Sequence, residues 1–223
     1  MRRLPSRGWS VVLALVAAAW AFFLLPPQQA EWSGADSPAW LRALDALPVY
    51  DGLRKALPAT GSSDAYLVFG AAASVSFALI WFATGPVLAA LGWSGRVLGA
   101  LILAGAPVTL LSYLNHPADA PLHVFWGAEA FVLLAIGVWG IVVAFAAPRG
   151  RGIPIWERIV IGGTLAVVVG ATVAFTYWPH GSLIGLGLEA AALARFAPRW
   201  GAPDARRVTP LARQQPAAPP EWN

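Results

Sequence analysis

The chain has 223 residues, 58% of them apolar and only 12% charged, with a mean hydropathy of +0.62. Soluble domains are about one quarter charged, so this composition excludes an ordinary soluble fold. A net charge of +4 could suit nucleic acid, but the basic residues are scattered over short connections beside apolar blocks, the pattern of a membrane protein that binds no nucleic acid.

Cysteine is absent, which rules out disulfides, thiolate metal sites and cysteine nucleophiles. Heavy use of Ala, Gly, Val, Pro, Trp and Arg, with Lys55 the single lysine, points to a GC-rich bacterial genome. The expected location is therefore a bacterial inner (plasma) membrane.

The hydrocarbon core of a bilayer is about 30 Å thick, so a spanning helix needs roughly 20 apolar residues at about 1.5 Å each. That ruler gives six segments: 9–25, 66–91, 97–114, 123–147, 159–178 and 182–197. The first is expected to stop at Pro26-Pro27, and to be an uncleaved anchor, because Gln28-Gln29-Ala30 is a poor signal-cleavage pattern. Pro86 and Pro107 lie inside the second and third segments and should bend them. The fourth and fifth are closed by Pro148 and Pro179, and the sixth is the shortest.

Between the first two segments lies a loop, 26–65. Trp40, Leu41, Leu44 and Leu47, then Tyr50, Leu53, Ala56 and Leu57, follow helical spacing, which predicts two short amphipathic helices on the outer face. The stretch 198–223 has few apolar residues and reads as a disordered cytoplasmic tail after a polytopic domain over 1–197. With the N-terminus inside, the inner side collects Arg2, Arg3, Arg7, Arg96, Arg149, Arg151, Arg158 and the five arginines from Arg195 onward. The outer loop keeps Arg42, Arg54 and Lys55. The positive-inside rule then puts both termini in the cytoplasm. The fold expected is an all-α integral membrane bundle of six helices with an outer amphipathic loop.

Carboxylates inside apolar segments cost on the order of 2.5–3.5 kcal/mol on insertion scales, and Glu129 and Glu189 are two such. Counted from the segment starts, they should lie at a common depth of roughly 10 Å below the outer boundary. Glu189 also continues a stripe with Gly181 and Gly185, which should turn it toward a neighbouring helix. His116, His123 and His180 fall at the same outer boundary. Together these five residues form a candidate polar cluster that could relay protons or act as acid and base.

No His-x-x-x-His or Glu-x-x-His spacing supports a metal site, and no phosphate-binding loop, dinucleotide fingerprint or nucleophile elbow is present. No cofactor or metal is expected. The reading that follows is a non-enzymatic accessory or scaffold subunit, with the bilayer and other membrane subunits as partners. The alternatives are a small proton- or cation-coupled transporter using Glu129 and Glu189, and an enzyme acting on an outer-leaflet lipid. A transporter needs a continuous polar path, and the inner halves of the segments offer only Ser74, Ser76, Thr84 and Thr164.

Overall fold

The computed structural model describes residues 7–146 and 154–196. The stretch 198–223, expected to be disordered, lies outside the described residues. Those described are helical, with no strand among them. The helices are α1 (Arg7–Ser33), α2 (Ala39–Asp45), α3 (Pro48–Ala56), α4 (Ala65–Ala72), α5 (Ser74–Ala90), α6 (Trp93–Leu114), α7 (Ala128–Ala146), α8 (Ile155–Gly162), α9 (Thr164–Phe175) and α10 (His180–Phe196). Four stretches are long and apolar enough to cross a membrane: Gly8–Asp36, Ala65–Ala90, Trp93–Leu114 and His123–Ala146. A fifth follows if α8 and α9, bent by 48°, are counted as one span. The described residues thus form an all-helical bundle with four or five apolar helices able to span a membrane.

The prolines did not end the first helix. α1 runs through Pro26 and Pro27 to Ser33. Pro27 has no N–H to give the carbonyl four residues back, that of Phe23. The Tyr50 hydroxyl of α3 donates to that carbonyl at 2.9 Å instead. A side chain from the cap thus replaces the missing helical donor, as buried backbone groups require.

The second expected segment is interrupted at Ala73. There Ser76 N–H donates to the Ala73 carbonyl, which frees the carbonyl of Ala72. The indole N–H of Trp20 takes it at 2.8 Å, and the Ser76 hydroxyl donates back to Ala17 of α1 at 2.9 Å. α1 is therefore stitched to the break by two hydrogen bonds.

The strongest bend is also not at a proline. α8 and α9 meet at Gly163, whose N–H is shared between the Ile159 and Val160 carbonyls. Small residues let neighbours close on α8 and α9 from two sides. A Cβ on Gly140 of α7 would stand 2.5 Å from the Ile161 carbonyl, and one on Gly137 would stand 2.7 Å from Leu165 Cα. On the other side α10 presents Gly181 and Gly185 to α9. The expected stripe therefore does face a neighbour.

α10, the shortest expected segment, is the centre of the bundle. It packs against α1, α5, α8 and α9, with Leu183, Ile184, Leu186, Ala190 and Leu193 buried. Gly187 brings it against Ala14 and Ala18 of α1.

The two amphipathic pieces are α2 and α3, which cap one end of the bundle. Leu41 and Tyr50 are their buried residues, and Leu57 is buried in the 3₁₀ turn that follows α3. Arg54 ties the cap together with hydrogen bonds of 2.7 and 2.9 Å to Asp45, and reaches Glu31 of α1 at 3.3 Å. A cavity of about 170 Å³ with apolar walls lies where α3 meets α1 and α4. The end carrying α2 and α3 is called the cap end below, and the opposite one the far end.

Candidate functional site

At the cap end the loops and helix ends bring three tyrosines together. Tyr177, between α9 and α10, is the hub: Gln28 Nε2 donates to its hydroxyl at 3.1 Å. Its oxygen lies 3.3 Å from that of Tyr113, and it donates to Tyr66 at 3.4 Å. The Tyr177 hydroxyl thus serves as donor and acceptor at once. Trp32 and Tyr66 stack over this group with ring centroids 5.9 Å apart, and Trp126 adjoins Trp32 at 5.9 Å.

Each expected site residue has a definite place. His116 Nε2 meets Asp64 Oδ2 at 2.8 Å and stands edge-on to Tyr66, at 4.9 Å between centroids. Asp64 is also the cap of α4, accepting from Leu67 N–H at 3.0 Å. Burial raises its carboxyl, but the Leu67 N–H and His116 outweigh that and hold it below the usual range. His123 bonds the Asn115 carbonyl oxygen through Nδ1 at 3.1 Å and stacks on Trp126. His180 is fully buried beside Tyr177, at 5.6 Å between centroids.

Glu129 stands in the first turn of α7, because Gly127, with φ of 84°, resets the chain just before the helix begins. Its carboxyl faces the Ser112 hydroxyl and lies within electrostatic reach of Tyr66 and Tyr113. Glu129, His116 and His180 thus border one tyrosine group, and His123 joins it through Trp126.

Glu189 belongs elsewhere. It lies nine residues into α10, about 13 Å from its start. Its Oε1 is 2.7 Å from Thr164 Oγ1, at the bend between α8 and α9. The common depth expected of the two carboxyls therefore does not hold, since α7 starts later and α10 earlier than the hydropathy ruler placed them. Glu189 Oε2 is buried without a partner and borders a cavity of about 30 Å³.

Gln28, Tyr66 and Glu157 were not among the candidates. Gln28, fully buried, lies beyond the prolines that seemed to end α1. Tyr66 read as no more than a segment start. Glu157, 1% exposed with Oε1 unpartnered, lies in the first turn of α8, ahead of the expected start at Ile159. The signal for Gln28 was there: Ala14, Ala17, Ala21, Leu24 and Leu25 form a helical stripe that Gln28 continues. Among the described residues no three His, Asp or Glu side chains converge as a metal ion would require.

No protein-family model matches the chain, and neither a curated protein nor a solved structure matches it.

Proposed function

We propose that the chain is a six-span protein of the cell membrane, of bacterial inner-membrane type, with both termini in the cytoplasm. We further propose that it serves as a non-enzymatic subunit of a larger membrane complex. α10 supplies the sixth span: its 17 residues reach about 26 Å, a shortfall that local thinning of the bilayer accommodates. Twelve of the fifteen basic residues then fall on the far side, as the positive-inside rule asks.

The observation that carries the subunit reading is the cap. α2 and α3 are clamped to α1 through Arg54 and Tyr50, yet they hold Trp40, Leu47 and Val49 outward, each more than 40% exposed. Exposed apolar side chains held fixed beyond the spans suit docking onto the outer surface of a partner protein.

Two measurements test this. The cysteine-free chain allows single labels: Ser63→Cys should react with an impermeant maleimide in intact cells, and Gly150→Cys only after permeabilisation. The opposite pattern would reverse the topology. For the complex, protein extracted from native membranes in mild detergent should migrate above its own 23.5 kDa. The pair Leu47→Asp and Val49→Asp should release it as a folded monomer. Monomer-sized wild type, or a complex indifferent to those substitutions, would overturn the reading.

A further inference from the structure

Where Thr164 meets Glu189, one hydrogen faces two acceptors. Thr164 Oγ1 stands 2.7 Å from the Ile161 carbonyl oxygen and 2.7 Å from Glu189 Oε1. A hydroxyl carries a single hydrogen and two lone pairs. Against a carboxylate, Thr164 could serve only one of these oxygens, and the other would face it without a hydrogen between them. Both contacts are satisfied when Thr164 donates to Ile161 and the Glu189 carboxyl itself donates to Thr164. That arrangement requires a proton on Glu189.

The surroundings agree. Among the described residues no lysine, arginine or histidine forms an ion pair with Glu189. The cavity beside it is walled by α5, α6, α7, α8, α9 and α10, and its only other polar side chains are Thr84 and Thr164. Thr84 already donates to the Ile80 carbonyl at 2.8 Å. α1, which adjoins α10 at Gly187, sets Ala14 and Ala18 there. On α8 the other titratable buried group is Glu157, seven residues from Thr164 toward the far end. An unpaired charge in such walls is costly, and a neutral acid is the form they accept. The unpartnered Oε2 and a volume of about 30 Å³ leave room for one water.

We propose that Glu189, Thr164 and the Ile161 carbonyl form a proton-binding site in the middle of the bundle, exchanging through this cavity. On release the carboxyl O–H bond breaks, its electron pair stays on the carboxylate, and the proton passes to a water in the cavity. The walls include Leu88, Leu98 and Leu193, all toward the far end, which is the cytoplasmic side in the topology proposed above. Release has a structural consequence. Thr164 must then turn its one hydrogen to the carboxylate, which deprives the Ile161 carbonyl of that bond beside the 48° bend. Protonation and the geometry of α8 and α9 are coupled through a single hydroxyl. The site does not depend on the docking reading, and loss of a partner would leave it unchanged.

The test is infrared spectroscopy of the full chain in phosphatidylcholine vesicles at neutral pH, in H₂O and D₂O. It compares wild type with Glu189→Gln, Thr164→Val, Glu129→Gln and Glu157→Gln. Wild type minus Glu189→Gln should show the carbonyl stretch of a protonated carboxyl, moving down in D₂O. In Thr164→Val the same band should move up, because its hydrogen-bond acceptor is gone. Should Glu189→Gln fail to fold, the Thr164→Val shift decides. A difference spectrum containing only ionised carboxylate bands would overturn the proposal. So would a protonated band that moves with Glu129→Gln or Glu157→Gln but not with Thr164→Val.

Discussion

Substituting Gly185 by alanine tests whether the α9–α10 contact holds the bundle together. A Cβ there would lie 2.7 Å from Ala171 Cβ, 2.9 Å from Val167 Cγ1 and 3.2 Å from the Val167 carbonyl oxygen. Carbon pairs rest at about 3.5–4.0 Å, so the helices must part by roughly 1 Å. Ala171 Cβ is fixed to the backbone and has no rotamer to retreat into. Overpacking of this kind costs about 1–3 kcal/mol. For a chain of this size that is a fall in melting temperature of about 2–12 °C. Thr164 and Glu189 lie on the same two helix faces, so their contact is strained as well.

Gly170→Ala is the control, because a Cβ on Gly170 meets nothing within 4 Å. Alanine there should leave stability unchanged or raise it by up to about 1 kcal/mol through helix propensity. The assay is thermal unfolding in detergent, followed by tryptophan fluorescence. If Gly185→Ala melts with Gly170→Ala or above it, close approach of α9 and α10 is not what stabilises the bundle.

Tyr50→Phe should cost about 1–3 kcal/mol by stranding the Phe23 carbonyl. The loss should shrink in a Pro27→Ala background, which restores a backbone N–H, and a double-mutant cycle of unfolding free energies checks this. Tyr177→Phe removes the hub hydroxyl and leaves Gln28, whose Oε1 is already unpartnered, with no bond for its amide; a loss of about 1–3 kcal/mol in the same melts is expected. For Asp64 the folded carboxyl lies below its ordinary value of 3.8, so its contribution is present above that pH and is lost as pH falls through the folded value. Asp64→Asn should therefore destabilise at neutral pH, and its melting temperature should converge with wild type as pH falls from 3.8 through the folded value; a gap constant with pH would show that the charge of Asp64 contributes nothing.

Hydropathy located the apolar blocks and the two amphipathic cap helices, and small-residue spacing aimed Gly181, Gly185 and Glu189 at a neighbour. These are local properties: a run of apolar residues buries itself in lipid or protein alike, and a 3.6-residue period needs no partner to define a face. What the sequence left open was every decision made by a distant donor. Pro26-Pro27 stay inside a helix because Tyr50 supplies the hydrogen bond, and Ala73 breaks one because Trp20 takes the freed carbonyl. Hydropathy also cannot rank burial among spans, since lipid is as apolar as leucine; this is how the shortest segment came to be the central one. Glu129 and Glu189 looked alike as isolated acids in apolar runs. Only the tertiary structure parted them, because Gly127 starts α7 late and places Glu129 among cap-end tyrosines, while the bend at Gly163 sets Thr164 against Glu189.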